Sequence, residues 1–204
     1  MLYGKYESEY KINSSGYRAP EFDTVDWGES YIIQGCSACF GKGIENDSDT
    51  VAANLERLIG KSVINLGVCG SSATFQYLNT ISMIEKNIVP KGVFVIWPNL
   101  NRYPEITDSA IEHIGPWSDD RFVQWTLKNN SVNHNSYNIR AWRIMWKLLD
   151  VPTYEMTHHP TDICKIVLDE FLDRGTDGMH WGPRTAKHVA TLLHNEFKVG
   201  SKCT

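Results

Sequence analysis

The sequence predicts one α/β domain built on a mainly parallel sheet. Strand-like and helix-like patterns alternate from residue 30 to residue 197, the order that produces a helix-covered parallel sheet. "GVFVIWP" at 92–98 is an unbroken apolar run, as in strands buried on both faces. No repeat, low-complexity tract or linker divides the 204 residues, a length that suits a single core.

Residues 1–29 carry Gly, Ser, Pro and several Tyr without a sustained period, and read as an extended lead-in packed on a domain spanning 30–204. Residues 30–34 form the first strand, ending at Gly35. "DTVAANLERLI" at 49–59 is a helix with Val51, Leu55 and Leu58 on one face, Asp47, Ser48 or Asp49 as cap, and Gly60 as its end. "KSVINLG" at 61–67 is the second strand, 72–87 a helix opened by Ser71 or Ser72, and 92–98 the third strand after the break at Pro90. Residues 99–137 read as a long polar loop, with a helix at 119–129. Residues 138–149 are helical, their Trp142, Met145, Trp146 and Leu149 forming an inward stripe. "VPTYEMTH" is a fourth strand. A helix over 161–173 turns Ile163, Val167, Leu168 and Phe171 inward, and a last helix over 184–197 buries Ala186, Val189, Ala190, Leu193 and Phe197. His188 and His194 on that helix are expected to face solvent.

A net charge of −4 argues against binding nucleic acid through a broad basic surface. No apolar run reaches the ~20 residues of a membrane span, and the first 20 residues lack the order of a signal peptide. Five cysteines cannot pair completely, so free thiols in a reducing, cytoplasmic setting are expected. Cys36-x-x-Cys39 is half of a metal or redox pattern, but Cys164 and Cys203 supply no second pair, and His158-His159 has no evident third ligand. Neither metal nor cofactor is expected.

Parallel sheets place their sites outside the carboxyl ends of the strands. The loop after the first strand holds Ser37, in "GCSACFGKG"; alone it reads as an ordinary turn serine, with a nucleophile as the alternative. The second holds Gly70, in "NLGVCGSS", and the third Asn99, in "WPNLNR". Asp177 and His180 follow in "DGMHWGP". A serine needs a base, the base an orienting carboxylate, and the oxyanion prearranged donors. "GCSACFGKG" lacks both the Gly-Lys-Ser/Thr ending and the spacing of a nucleotide-binding loop.

These four blocks, in this order from about residue 30 to residue 197, resemble the SGNH hydrolases, the GDSL-type esterase family. The resemblance implies a flavodoxin-like three-layer α/β/α fold. It implies Ser37 as nucleophile, His180 as base and Asp177 as its orienter. The oxyanion hole would be the N–H groups of Ser37 and Gly70 with the side chain of Asn99. Two blocks depart from the family's pattern: Cys36 stands where its Gly-Asp-Ser has the acid, and Trp97-Pro98-Asn99-Leu100 replaces Gly-x-Asn-Asp. The implied reaction is cleavage of a small acyl ester of a carbohydrate or other metabolite. A lipid-type acyl esterase or thioesterase is the alternative, and a non-catalytic binding domain of the same fold the rival. Arg102 reads as a rim residue for an acidic or hydroxylated substrate or as a solvated arginine, and Trp181 as a pocket wall or as packing beneath the base. The oligomeric state is open.

Overall fold

The computed structural model describes residues 10–108, 110–128, 131–159, 162–168 and 170–200. Five strands form one parallel sheet: β1 (Tyr31–Gly35), β2 (Val63–Gly67), β3 (Gly92–Trp97), β6 (Thr153–Thr157) and β7 (Ile166–Val167), in the order β2-β1-β3-β6-β7. The helices are α1 (Ser37–Phe40), α2 (Val51–Ile59), α3 (Ala73–Glu85), α4 (Asp119–Lys128), α5 (Ser131–Leu148) and α6 (Pro183–Gly200). β4 (Tyr103–Ile106) and β5 (Ile111–Ile114) form a separate antiparallel hairpin. The predicted α/β architecture with a mainly parallel sheet is the one observed.

The two-residue period of the strands sorts the core onto two faces. Ile33, Phe94, Ile96 and Met156 point to α2 and α6, against Val51, Leu55, Val189, Ala190 and Leu193. Ile32, Val93, Val95 and Trp97 point the other way, against Ala73 and Met83 of α3 and Ile139, Trp142 and Trp146 of α5. Each such aliphatic side chain contributes about 1.5–3 kcal/mol when fully buried. The lead-in lies against the second face through Tyr17, Phe22, Val25 and Trp27.

The helix ends follow the sequence closely. The Ser72 side chain accepts from Phe75 N–H at the start of α3, and Gly60 closes α2 in a left-handed conformation. The α2 cap is Thr50, because 47–49 form a 3₁₀ turn of their own.

Other expectations are corrected. The loop predicted over 99–137 contains the β4–β5 hairpin, and α5 begins at Ser131. The hairpin is polar and two-stranded, so Pro104 sits on an edge strand where its missing N–H is tolerated, and no alternating apolar face announced it. The helix predicted over 161–173 is absent among its described residues. There the β-branched pair Ile166-Val167 adds an edge strand to β6, and Phe171 and Leu172 are exposed. Trp142 and Trp146 are buried, but Leu149 is not, and Ile139 takes the place on that face. His194 is buried and stacks on Phe197 at 6.1 Å rather than facing solvent.

A buried hydrogen bond crosses the second layer. Trp142 Nε1 donates to Gln34 Oε1 at 2.8 Å, and Gln34 Nε2 donates to Thr80 Oγ1 at 3.3 Å. Trp142→Phe leaves the Gln34 acceptor unpaired in a dry interior. Urea denaturation should show a loss of about 1–3 kcal/mol; an unchanged midpoint would show that the bond adds nothing.

Candidate active site

Strand β1 delivers Ser37 to the carboxyl edge of the sheet. Cys36 is extended, and Ser37 opens α1 as the partly exposed residue between buried Cys36, Ala38 and Cys39. The turn is held from beneath by Asn65 of β2. Its amide nitrogen donates to Cys39 O at 3.1 Å and Phe40 O at 3.4 Å, and its oxygen accepts from Gly67 N–H at 2.9 Å. The backbones approach so closely that a Cβ at Gly67 would lie 2.4 Å from Phe40 N. Arg18 of the lead-in braces the far side, donating to Gly41 O at 2.9 Å and pairing with Asp47 at 2.6 Å. Cys36 and Cys39 are free, as are Cys69 and Cys164; Cys203 lies outside the described residues. Burial pushes the Cys39 thiol well up and the Cys69 thiol to about 11, so neither is a ready thiolate.

The loop after β2 is tied to the end of β1. Gly35 O accepts from Val68 N–H at 3.0 Å, Ser71 Oγ at 3.1 Å and Gln76 Nε2 at 3.2 Å. Gly70 sits at φ +78°, and a Cβ there would come within 3.2 Å of the Trp117 ring. A side chain is therefore disfavoured twice, by conformation and by space.

Asn99 follows β3. Its side-chain oxygen accepts from Asn101 N–H at 2.9 Å. That turn fixes the amide plane and turns the NH₂ end away from its own backbone. The loop is anchored by buried Asn135 of α5, whose amide nitrogen donates to Leu100 O at 2.6 Å and Arg102 O at 2.9 Å.

Asp177 and His180 occupy the loop before α6. Asp177 Oδ1 accepts from Met179 N–H and His180 N–H, both at 3.0 Å, and its Oδ2 lies 2.6 Å from His180 Nδ1. The carboxylate is an acceptor, so the proton is assigned to Nδ1 and Nε2 keeps its lone pair. Burial raises the Asp177 carboxyl, but the bonds from His180 and Met179 outweigh it and hold the group below its ordinary range. The loop is joined to the one that follows Ser37: Thr176 N–H donates to Gly43 O at 2.9 Å. Asp173 caps α6 through Arg184 N–H, Thr185 N–H and the Thr185 hydroxyl. Trp181 is buried at 3% exposure in the core with Ala38 and Cys39, so it packs beneath the loop.

The four blocks thus meet on one edge of the sheet. Arg102 lies beside them, its guanidinium 5.1 Å from the Trp117 ring. Sequence reading did not single out Asn65, Gln76 or Asn135, side chains that hold the loops, and it offered Ser71 only as a helix start. A signal existed for Asn65, a polar residue inside the apolar run "VINLG". Nor did it join His113 to His158 and His159 at the same rim. Among the described residues, no group of three or more His, Cys, Asp or Glu side chains is arranged to hold a metal ion, and no helix is long and apolar enough to cross a membrane.

No family model and no curated relative matches the sequence. Solved structures do. The psychrotrophic esterase EstA from a Pseudoalteromonas species superposes with a TM-score of 0.52 at 12% identity, over 85% of this chain and 99% of that one. The fold is that of the SGNH hydrolases. At that identity the likeness shows the architecture and says nothing of the activity. Two further similar structures superpose less well. One is a protein described as a lipolytic member of the G-D-S-L family from Desulfitobacterium hafniense, with a TM-score of 0.44 at 11% identity over 83% of this chain and 99% of that one. The other is a two-domain esterase active on acetylated mannans, with a TM-score of 0.43 at 12% identity over 84% of this chain and 49% of that one. In this SGNH fold the carboxyl edge of the sheet, where the four blocks meet, is the expected position for a site.

Two predictions follow from these contacts. Asn65→Ala should cost about 1–3 kcal/mol in urea, because it strands buried carbonyls of α1 and the Gly67 N–H; a midpoint equal to wild type would show that the turn holds itself. The second concerns acid. Asp177 and Asp173 titrate lower folded than unfolded, Asp173 because its bonds from Arg184 and Thr185 overcome its burial. Their stabilisation is present above the ordinary carboxylate pKa of about 4 and is lost as pH falls through the folded values. Burial holds His113 and His159 below the imidazole range and His158 down to about 3. Their contribution is complete above about pH 6.5 and declines below it, as the unfolded chain takes up protons that the fold refuses. The thermal midpoint should therefore fall from about pH 6.5 downward. A flat midpoint between pH 6.5 and 5 would mean that the histidines are not buried in solution.

Proposed function

We propose that the protein is a serine ester hydrolase acting on a small acyl ester, through an acyl-enzyme on Ser37. The observation that carries this reading is the 2.6 Å contact between Asp177 and His180 Nδ1, on a loop bonded to the one that follows Ser37. It leaves Nε2 as a base, and the ordered Asp177 keeps the ring and tautomer in place. As Ser37 Oγ bonds to the ester carbonyl carbon, its proton passes to His180 Nε2. The negative charge that develops on the carbonyl oxygen is met by Ser37 N–H, Gly70 N–H and the Asn99 NH₂. Collapse breaks the carbon–alkoxide bond, and His180 returns the proton to the departing alcohol. Water then repeats the sequence on the acyl-enzyme, releasing the acid and restoring Ser37. A carbohydrate or small-metabolite ester is the substrate class this reading adopts.

Incubation with a neutral fluorophosphonate, followed by intact mass and peptide mapping, tests the nucleophile. One adduct on Ser37 is expected, absent in Ser37→Ala and strongly slowed in His180→Ala. A folded protein that takes no adduct would favour a binding domain without catalysis. Asn99→Ala should lower kcat by about 10²–10³, or ~3 kcal/mol. Unchanged turnover would remove Asn99 from the oxyanion hole.

A further inference from the structure

Eight buried side-chain polar atoms are without a hydrogen-bond partner among the described residues, and five of them come from four residues at the rim of this site. They are Arg102 Nε and Nη1, His113 Nδ1, His158 Nδ1 and His159 Nε2. Native interiors rarely leave such groups unpaired, so a cluster of them at the edge of a site calls for acceptors or donors from outside the chain, water or ligand.

The four side chains come from three separate elements: the loop after β3, strand β5 and the segment after β6. They converge on the same edge. The Cβ of His113 and the ring of Trp117 flank Gly70, and Trp117 carries the Arg102 guanidinium. The ring of His158 packs at 4.0 Å on His159 and at 5.3 Å on Trp181, the neighbour of His180. Burial first disfavours protonation of all three imidazoles; the charge of Arg102 follows for His113 and His159, and for His158 the next causes are His159, Arg102 and His180 in that order. No carboxylate contributes to any of those shifts. Arg102 forms no ion pair among the described residues, whereas Arg18, Arg121 and Arg143 each have a carboxylate.

A guanidinium with two buried N–H groups and no acceptor is costly to maintain. Nε–H and Nη1–H point to different sides of the guanidinium, so the chemistry that satisfies it is an acceptor-rich anion that takes one of them, with neutral imidazoles to complete its shell. We infer that Arg102, His113, His158 and His159 form a subsite for an anionic group, a carboxylate, carried by the substrate next to its scissile ester. The inference deepens the hydrolase reading and rests on it for the identity of the ligand as a substrate. The carboxylate belongs either to the acyl part or to the alcohol part.

Two matched pairs of esters separate those sources. 4-Nitrophenyl hemisuccinate against 4-nitrophenyl butyrate places the charge on the acyl side. 4-Acetoxybenzoate against phenyl acetate places it on the alcohol side. Wild-type protein should prefer the anionic member of one pair by at least tenfold in kcat/KM. Arg102→Gln should reduce that ratio by at least tenfold, and Arg102→Lys should restore part of it. Ratios at or below one in both pairs overturn the subsite without need of any variant. Calorimetry with monomethyl succinate on Ser37→Ala reads the subsite without turnover. Binding should weaken at least tenfold in the double variant with Arg102→Gln, and dimethyl succinate should bind no better than that variant binds the acid. If the fluorophosphonate fails to label Ser37 but Arg102-dependent binding persists, the hydrolase reading falls and the anion site stands. Labelled Ser37 with neither preference nor Arg102-dependent binding leaves the hydrolase and removes the subsite.

Discussion

The carbonyl of Gly35 is the point on which the site depends. It ends β1, the strand that delivers Ser37, and three donors converge on it: Val68 N–H, Ser71 Oγ and Gln76 Nε2. The first two belong to the loop that carries Gly70, and the third to α3. One acceptor therefore sets the nucleophile loop, the glycine loop and a flanking helix relative to one another. Gln76 Nε2 also donates to Ser71 Oγ at 2.9 Å, so the hydroxyl's own direction is constrained. A fully buried acceptor with three well-directed donors leaves little room for drift, because any displacement strands a polar group away from water.

The same device recurs elsewhere in the fold. Asn65 anchors α1 to β2, and Asn135 holds the Asn99 loop while its oxygen accepts from Thr74 N–H and Oγ1 at 3.1 Å. Gln34 links β1 to α3 and α5. Apolar packing makes the layers cohere but is tolerant of small sliding. Side-chain amides are not, since each has a fixed donor end and a fixed acceptor end. The apolar layers account for most of the stability and the buried amides for the relative placement of the loops. Cys36 illustrates the division. Its side chain is buried in the apolar layer, and Asn65 supplies the side-chain restraint from the neighbouring strand.

The parts of this chain that were legible in its sequence are those where one pattern dominates. β3 is apolar throughout and is buried on both sides; α3 announces its start with Ser72, and α2 its end with Gly60. The four chemical blocks stood out because each follows a strand or precedes a helix. The failures lie where tertiary contact overrides local period. Ile163, Val167, Leu168 and Phe171 fit a helical face, yet the edge of β6 captures Ile166 and Val167, and Asp173 must turn to cap α6. The β4–β5 hairpin has no buried alternating face to reveal it, since only Ile114 among its residues is buried. The supporting amides were illegible for a different reason. An Asn in a strand is identified as a brace only when the carbonyls it serves, 25 and 26 residues away in sequence, are brought beside it.

The histidines of the rim divide by their partners. His180 has a carboxylate at 2.6 Å, which defines its tautomer and stabilises the imidazolium that a general base must become. His113, His158 and His159 face Arg102 with no carboxylate acting on them, and burial keeps them neutral. Proton transfer in the proposed reaction is therefore assigned to one ring, although four stand at the same edge. The other three can offer an N–H but cannot readily accept a proton beside a fixed positive charge, which suits them to holding a ligand and not to general-base work. Electrostatics also orders the site in space. The Arg102 guanidinium lies 5.1 Å from the Trp117 ring, and that ring borders Gly70, one of the proposed oxyanion donors. A carboxylate held by Arg102 would keep that pairing in the bound complex and in the transition state alike, so its contribution is to binding rather than to the chemical step.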